Sequence, residues 1–264
     1  MAEPARVLEL AGASVQVFEN ADHAALAAAD RIAGAIRSAV ARKGQAVIGL
    51  ATGATPEAVY ARLVSLHRAG GLSFAGVTTY NLDEYHPISP HDPRSYRAYM
   101  HRHLLAHVNI AADRAHVFDG TVPRDAAAEH AAQFGRWIAA DGGIDLQVLG
   151  IGRNAHIGFN EPTDLPVPEA LNLPCRPITL RPETRALYAV EFGGEDRVPR
   201  ALTVGVAEIL AAREILVLAF GETKADPVAR SLLGPLTAEC PGSLLRAAPG
   251  RVTWIIDEAA STSL

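Results

Sequence analysis

Several side chains in this sequence are of the types that move protons in enzyme sites. Asp83 and Glu84 are neighbouring carboxylates, and His156 and Glu161 place an imidazole and a carboxylate in one short segment that also holds Asn154. A histidine oriented by a carboxylate can shuttle a proton, and a carboxylate beside a carbonyl group can remove one from the adjacent carbon. These residues therefore predict acid–base chemistry. The alternatives are a solvated loop histidine and carboxylates that only cap a helix or end a strand.

Two glycine-containing turns are candidates for holding a phosphate group. The segment Thr52-Gly53-Ala54-Thr55-Pro56 sets hydroxyls and a flexible glycine before a predicted helix, whose free N–H groups and positive end attract anions. The segment Gly221-Glu222-Thr223-Lys224 adds a lysine. Of the 24 basic residues only Lys43 and Lys224 are lysines, so a charge for phosphate explains this one better than random surface placement does. For the first turn, ordinary helix capping by Thr55 is the alternative.

The elements that must position these residues alternate along the chain. Apolar runs predict strands at 15–18, 46–51, 77–82, 116–118, 146–151, 202–206, 215–220 and 252–256, and helical periodicity predicts helices at 22–43, 56–69, 95–108, 124–140 and 224–233. This alternation predicts the α/β class, with an open, mainly parallel, Rossmann-like sheet covered by helices on both faces. Ligands of such sheets bind beyond the carboxyl ends of the strands. Because the candidate residues follow predicted strands, we expect them to meet at that edge.

The domain organisation is predicted to be simple. The sequence contains no repeat, low-complexity tract or linker, so we expect one domain over residues 1–264. The segment at about 161–198 breaks the alternation with many prolines and a Gly-Gly pair. Irregular segments of that length inside a compact domain are usually lids or binding loops, which predicts a lid-like insert.

Composition excludes several classes of protein. With 49% hydrophobic and 20% charged residues among 264, the chain has a globular composition, and its net charge of -5 argues against nucleic-acid binding. Cys175 and Cys240 are far apart and form no cluster with other cysteines, which fits a reducing compartment without disulfides or a cysteine zinc site. We find neither a secretion signal nor a membrane span and therefore expect a cytoplasmic protein.

Two competing patterns carry less weight. The run Gly150-Ile151-Gly152-Arg153-Asn154-Ala155 matches a dinucleotide fingerprint, but Gly158 and Pro162 follow it in place of a helix, and Asn172 stands where a ribose-binding acid is needed. His103 and His107 are one turn apart on a predicted helix, a spacing that can bind metal, but no nearby acid or cysteine completes a site. We therefore predict neither a nicotinamide cofactor nor a metal.

The same segments, in this order and spacing, resemble the glucosamine-6-phosphate deaminase (isomerase) family, which is related to the 6-phosphogluconolactonases. The resemblance covers nearly the whole chain from about Val47 through the last strand. It is densest in these segments: residues 49–56, Asn81-Leu82-Asp83-Glu84-Tyr85 with Ser95-Tyr96 and Met100-His101-Arg102, His156-Ile157-Gly158-Phe159-Asn160-Glu161-Pro162, and Ala201-Leu202-Thr203-Val204-Gly205.

The resemblance implies an enzyme of amino-sugar metabolism, classed as a hydrolase, that needs no cofactor. It would open the ring of glucosamine 6-phosphate, move the C2 proton to C1 through an enolamine, and release ammonia and fructose 6-phosphate. By the match, Asp83 would carry that proton, and His156 would open the ring with support from Glu161 and Asn154. The residues implied for holding the phosphate are Thr52, Gly53, Ala54, Thr55, Arg185 and Lys224.

This sequence departs from the family pattern at three places. Asn154 stands where the well-known form has aspartate, and an amide can orient an imidazole but cannot stabilise its protonated form by charge, so more of that work would fall on Glu161. Ala54 replaces a usual glycine, a small change if its φ stays negative. The segment between Glu161 and Leu180 lacks the residues that bind the activator in regulated members, so activation by N-acetylglucosamine 6-phosphate is not expected.

Other functions remain open at this stage. A 6-phosphogluconolactonase, or a deaminase of another hexosamine phosphate, would use the same pocket, and a sugar-phosphate-binding regulator without catalysis is conceivable because of Asn154. In each case the expected partner is a small sugar phosphate, with no nucleic acid and no membrane. Family members include hexamers and smaller forms, so a homo-oligomer is compatible with the resemblance.

Overall fold

The apolar runs of the chain pair into two sheets in the computed structural model, which describes residues 3–264. The strands are β1 (Arg6–Leu10), β2 (Ala13–Phe18), β3 (Ala46–Leu50), β4 (Val77–Asn81), β5 (Asp83–His86), β6 (Ala115–His116), β7 (Leu146–Gly150), β8 (Arg176–Ile178), β9 (Arg200–Thr203), β10 (Glu214–Ala219) and β11 (Val252–Asp257). The larger sheet has the order β1-β2-β11-β10-β7-β3-β4-β6, and its neighbouring strands are parallel except for β1 with β2. The smaller sheet, β5-β9-β8, is antiparallel.

Each α-helix lies between two strands along the chain. The helices are α1 (Ala21–Lys43), α2 (Glu57–Arg68), α3 (Tyr96–His103), α4 (Ala127–Ala140), α5 (Val167–Leu171), α6 (Pro182–Phe192), α7 (Val206–Ala211) and α8 (Ala225–Leu233). Helix α1 shows how local sequence sets their ends. The Asn20 side chain accepts a hydrogen bond from the backbone N–H of His23 at its start, and Gly44 ends it at a φ of 79°.

Neighbouring residues of the central strands face two different apolar clusters. Val47 and Val217 pack in the cluster that contains α4 and α8, whereas Ile48 and Leu216 pack in the cluster that contains α1 and α2. The strands are buried along their length because helices cover both faces of the sheet. This arrangement confirms the predicted α/β class with an open, mainly parallel sheet.

Three elements differ from the predictions. The expected strand at 202–206 is displaced: β9 ends at Thr203, pairs with β5 in the smaller sheet, and is followed by helix α7. The strand predicted at 77–82 is β4, which ends at Asn81, and after a bend at Leu82 the chain continues as β5, a strand that was not predicted. Helix α3 ends at His103, so His107 lies in a separate turn of 3-10 helix and the two histidines do not share one helix face.

The segment 161–198 is not irregular, as the prolines suggested, but contains α5, β8 and α6. Pro182 stands in the first turn of α6, a position that tolerates proline because its N–H needs no partner inside the helix. Leu180, Phe192 and Val198 pack with residues of β5 into a third apolar cluster beside the small sheet. That this segment acts as a lid stays a prediction.

None of the helices in residues 3–264 combines the length and the apolar character that a membrane crossing requires.

Candidate active site

The four predicted segments meet in one pocket of about 450 Å³ at the carboxyl ends of the parallel strands. Strand β3 has β7 on one side and β4 on the other, so the sheet order changes direction there and a crevice forms between the loops that follow. Among the predicted site residues, those that line this pocket are Thr52, Gly53, Ala54, Thr55, Asp83, His156 and Lys224. Asn154, Glu161 and Arg185 do not line it.

The turn after β3 has the backbone of an anion cradle. Gly53 has a φ of 109°, which favours glycine. Ala54 does not have a positive φ, so alanine fits without strain where glycine is usual. The capping alternative for Thr55 is wrong, because the residue before the first turn of α2 is Pro56 and no side chain caps that helix. The start of α2 therefore leaves backbone N–H groups available to a ligand.

Two tyrosine hydroxyls hold the carbonyl groups of this turn. The Tyr99 hydroxyl donates a hydrogen bond to the carbonyl oxygen of Gly53 at 2.7 Å, and the Tyr60 hydroxyl donates one to that of Ala51. A carbonyl oxygen that faced the ligand would repel an anion. Tying the oxygens to tyrosines therefore keeps the N–H side of the turn for the ligand.

We expect Tyr99→Phe to weaken the binding of inorganic phosphate about fivefold, because one neutral hydrogen bond contributes about 1 kcal/mol. The measurement is isothermal calorimetry with inorganic phosphate. Tyr80→Phe is the matched control. The Tyr80 hydroxyl donates to Asp141 at 2.6 Å and does not line this pocket, so its removal should leave phosphate binding unchanged. Equal losses in both variants would contradict a role of Tyr99 in shaping the cradle.

Lys224 supplies positive charge to the pocket that the cradle lines. Its Nζ donates a hydrogen bond to the carbonyl oxygen of Ile151 at 2.7 Å, and within residues 3–264 it forms no ion pair with a carboxylate. Burial lowers its pKa, and the neighbouring charge of Arg153 lowers it further. Arg153 also lines the pocket. Two positive side chains and a helix N-terminus therefore face a space suited to a phosphate group.

Asp83 and Glu84 point to different sides, as strand alternation predicts. Asp83 lines the pocket and is only 6% exposed. Burial, with a smaller contribution from the negative charge of Glu84, raises the pKa of Asp83 to about 8. Glu84 does not line this pocket; its carboxylate accepts hydrogen bonds at the start of α3. A carboxyl group whose pKa lies near neutrality can both take up and return a proton.

Asn154 lies beside His156, but its side chain contacts Glu161 and the backbone instead of the imidazole ring. The Asn154 side chain does not bond to the imidazole: its Nδ2 donates to Glu161 Oε2 at 2.9 Å, and its Oδ1 accepts from the backbone N–H of His156 at 3.2 Å. In this structure the amide therefore makes no direct hydrogen bond to the ring. Glu161 Oε2 lies 3.9 Å from His156 Nδ1, which is too far for a hydrogen bond.

The imidazole of His156 is neutral in this environment. Burial lowers its pKa to about 4, and the positive charge of Lys224 contributes to that decrease. Its Nδ1 is buried without a hydrogen-bond partner in the described chain, and so is Glu161 Oε1. A neutral imidazole can accept a proton at one nitrogen and donate from the other.

Gly152 leaves the space that the His156 ring occupies. A Cβ at this position would lie 2.3 to 2.5 Å from three atoms of the imidazole, so Gly152→Ala must displace the ring. We expect the pKa of His156 to rise from about 4 by at least about one unit as the ring leaves its buried position. Titration of the histidine ring by NMR measures this. Gly34→Ala is the control, because a Cβ there would meet nothing within 4 Å, and it should leave the pKa of His156 unchanged. An unchanged pKa of His156 in Gly152→Ala would contradict this packing of the ring against Gly152.

Arg185 lies on α6, and this structure does not bring it to the cradle. Its Nε is buried without a hydrogen-bond partner in the described chain, while Leu187 and Tyr188 of the same helix line the pocket. Sequence reasoning missed the aromatic wall that Tyr96, Phe159 and Tyr188 add to the pocket. Tyr96 and Phe159 stood inside recognised motifs without a role, whereas nothing in the sequence around Tyr188 points to the pocket.

The fold and this pocket define a class: an open α/β protein whose anion cradle faces a buried carboxylate and a neutral imidazole. Within residues 3–264, no group of three or more His, Cys, Asp or Glu side chains has the arrangement of a metal site. The chain belongs to the family described as glucosamine-6-phosphate isomerases/6-phosphogluconolactonase, whose sequence profile matches residues 19–254.

Curated relatives match most of the chain. It is 45% identical over 244 residues to a glucosamine-6-phosphate deaminase of Rhodopirellula baltica, covering 92% of this chain and 93% of that protein. It is 44% identical over 233 residues to a glucosamine-6-phosphate deaminase of Bacillus velezensis, covering 88% and 93%.

Solved structures agree with the family assignment. A monomeric glucosamine-6-phosphate deaminase superposes with a TM-score of 0.86 at 35% identity, covering 95% of this chain and 99% of that one. A 6-phosphogluconolactonase of Thermotoga maritima superposes with a TM-score of 0.71 at 16% identity, covering 92% and 99%, and shows a shared fold only.

Proposed function

We propose that this chain deaminates and isomerises glucosamine 6-phosphate, giving fructose 6-phosphate and ammonia. One observation carries the proposal: in a chain 45% identical to a protein named glucosamine-6-phosphate deaminase, Asp83 and His156 line the same pocket as the anion cradle and Lys224. A single phosphorylated hexose held at the cradle can reach both acid–base groups there.

The phosphate group would bind at the turn of Thr52, Gly53, Ala54 and Thr55. Backbone N–H groups at the start of α2 would donate to its oxygens, and Lys224 would neutralise part of its charge. Holding the phosphate at one end fixes the distance from the sugar carbons to Asp83. Positioning of this kind converts binding energy into a faster reaction.

Ring opening comes first, because the C2 proton is acidic only beside an open-chain carbonyl. His156 would take the proton of the C1 hydroxyl and deliver a proton to the ring oxygen, so that the C1–O5 bond breaks and an aldehyde forms. A neutral imidazole is required to accept that proton, and the lowered pKa of His156 supports this role. Glu161, held by Asn154 and 3.9 Å from Nδ1, would stabilise the transient positive charge of the ring.

Asp83 would then move one proton between adjacent carbons. It takes the proton from C2 while O1 takes up a proton from solvent, which gives the enolamine, and it returns its own proton to C1, which leaves C2 as a protonated imine. Carbon C1 is reduced as C2 is oxidised, so the step is balanced without an external redox partner. The pKa of about 8 suits a group that must be a base and then an acid.

Release of ammonia completes the proposed reaction. Water adds to the imine carbon C2, the amine leaves as ammonia, and the ketone of fructose 6-phosphate remains. Deaminase and isomerase describe the activity that the relatives' names support. The hydrolase class expected from the sequence refers to this last step alone, and it rests on the chemistry of the substrate.

Helix α6 is the part of the insert that we propose as a lid. Leu187 and Tyr188 already line the pocket, and Arg185 precedes them on the same helix. A movement of α6 toward the cradle would bring the Arg185 guanidinium to the phosphate and exclude water during the enolamine stage. Every group named in this mechanism belongs to one chain.

The test is an ammonia-release assay with a panel of substrates and no added cofactor. We expect ammonia and fructose 6-phosphate from glucosamine 6-phosphate at rates well above those with other hexosamine phosphates or with 6-phosphogluconolactone. Faster hydrolysis of the lactone would replace the proposal with a lactonase. Tight binding of glucosamine 6-phosphate without ammonia release would replace it with a sugar-phosphate-binding regulator.

A further inference from the structure

Glu84 is a buried carboxylate that the proposed mechanism does not use. It is 1% exposed, and each of its oxygens accepts two hydrogen bonds. Oε2 accepts from the Ser95 hydroxyl at 2.7 Å and from the backbone N–H of Arg97 at 3.0 Å. Oε1 accepts from the backbone N–H groups of Tyr96 and Tyr85, both at 2.9 Å. Three of these four partners can only donate, which suits an ionised carboxylate.

These contacts tie strand β5 to the start of helix α3. The first N–H groups of a helix have no partner inside it, and here Glu84 accepts those of Tyr96 and Arg97 while Ser95 accepts that of Ala98. A carboxylate in this place also lies at the positive end of the helix dipole. Burial raises the pKa of Glu84, but all four hydrogen bonds oppose that change.

The tie fixes one wall of the active-site pocket. Tyr96 lines the pocket, and its ring stacks on Phe159 with centroids 6.0 Å apart and tilts against Tyr85 at 4.9 Å. Its backbone N–H is held by Glu84. The position of this ring relative to Asp83 therefore depends on the Glu84 carboxylate.

The charge of Glu84 also acts on Asp83, which precedes it on β5. The titratable groups around Asp83 are Tyr85 of its own strand, Tyr60 of α2, Tyr96 of α3 and Tyr188 of α6, and His156 and Lys224 line the same pocket. Burial raises the pKa of each of these tyrosines, so they are neutral, and His156 is neutral as well. Glu84 is therefore the negative charge that acts on Asp83 from its own strand.

We propose that Glu84 is a positioning residue for the deaminase reaction: its buried carboxylate holds Tyr96 against the pocket and keeps a fixed negative charge beside Asp83. This inference rests on the proposed function, because it assigns Asp83 as the proton carrier. The carboxylate does not touch substrate. It sets where the pocket wall lies and over which pH range Asp83 is a base.

The test compares Glu84→Gln with Glu84→Asp. Asp83 must be ionised to act as a base, and a neighbouring negative charge disfavours ionisation, so neutralising residue 84 should move the acid limb of the kcat/KM profile to lower pH. We expect a shift of about one pH unit in Glu84→Gln. We also expect a KM about fivefold higher, because the hydrogen bond from the Tyr96 backbone N–H to residue 84 is weakened. Glu84→Asp keeps the charge, so its acid limb should stay in place while KM rises.

A folded Glu84→Gln whose acid limb coincides with that of the wild type would overturn the proposal. Ser95→Ala provides a second route if Glu84→Gln does not fold: it removes one donor to Glu84 but keeps the charge, so KM should rise and the acid limb should not move. An unchanged KM in Ser95→Ala would also contradict the proposal.

A readout without turnover separates this inference from the proposed function. In protein labelled with ¹³C at aspartate carboxyls, Asp83 is identified by comparison with Asp83→Asn and titrated directly. We expect its pKa to be lower in Glu84→Gln than in the wild type, whether or not the protein deaminates glucosamine 6-phosphate. If the wild type releases no ammonia, the proposed function is refuted. If the pKa of Asp83 is the same in Glu84→Gln as in the wild type, the role of Glu84 is refuted.

Discussion

Asp83→Asn should lower kcat for ammonia release from glucosamine 6-phosphate about 10³-fold, because positioned proton transfer contributes about 10²–10⁴-fold to catalysis. Asparagine has nearly the shape of aspartate but cannot take a proton from C2 or return it to C1. Binding of inorganic phosphate should be unchanged, since the cradle and Lys224 do not depend on this carboxylate for their hydrogen bonds.

The same substitution has an expected effect on stability with a definite sign. The folded-state pKa of Asp83, about 8, lies above its ordinary value of 3.8. Its favourable contribution to folding is therefore complete below pH 3.8 and is lost as the pH rises through about 8. Asp83→Asn carries no buried charge, so its Tm should exceed that of the wild type at pH 9.

The measurements are steady-state kinetics, calorimetry with inorganic phosphate, and thermal unfolding at several pH values. Asp113→Asn is the matched control, because Asp113 is exposed and does not line the active-site pocket. Normal turnover in a folded Asp83→Asn protein would show that another group carries the proton and would end the proposed mechanism.

His156→Gln should lower kcat about 10²-fold, at the lower end of the range for general acid–base catalysis. The loss is limited because sugar rings also open in water without a catalyst, although slowly. Glutamine can form hydrogen bonds but cannot take up and release a proton. Ring opening should then limit the rate. A substrate deuterated at C2 should therefore show a smaller isotope effect on kcat in this variant than in the wild type.

His101→Gln serves as the control for His156→Gln, since His101 is exposed and lies outside the pocket. An isotope effect that grows in His156→Gln would mean that the imidazole takes part in moving the C2 proton. Unchanged kcat would remove His156 from the mechanism. Either result leaves the assignment of Asp83 open to its own test.

The convergence of the site could be predicted from the sequence because parallel strands bring their carboxyl ends to one edge. Thr52, Asp83, His156 and Lys224 each follow a strand whose apolar run is visible in the sequence, and all line one pocket. The aromatic wall was not predictable in the same way. Tyr188 belongs to a segment whose prolines suggested a loop, and only its packing against Tyr85 and Phe159 brings it to the pocket.

The contacts within the His156 segment also escaped sequence reasoning. The sequence implied that Asn154 supports His156, and only the structure shows that it does so through bonds to Glu161 and to the backbone of His156. Residue type fixes what an amide can donate and accept, whereas its partner depends on backbone angles within a few residues. Here Ala155 has a φ of 66°, which turns the chain between Asn154 and His156. Arg185 is a similar case, because its place in α6 decides what its guanidinium can reach.

The sequence by itself determined which chemical groups follow which strands, because apolar periodicity and turn residues act over short stretches of chain. Alternation along a strand also required that Asp83 and Glu84 face opposite sides. Only the tertiary structure decided that Asp83 faces the pocket and Glu84 the helix. That choice depends on the pairing of β5 with β9 and on the docking of α3, contacts between residues distant in the chain that no local pattern encodes.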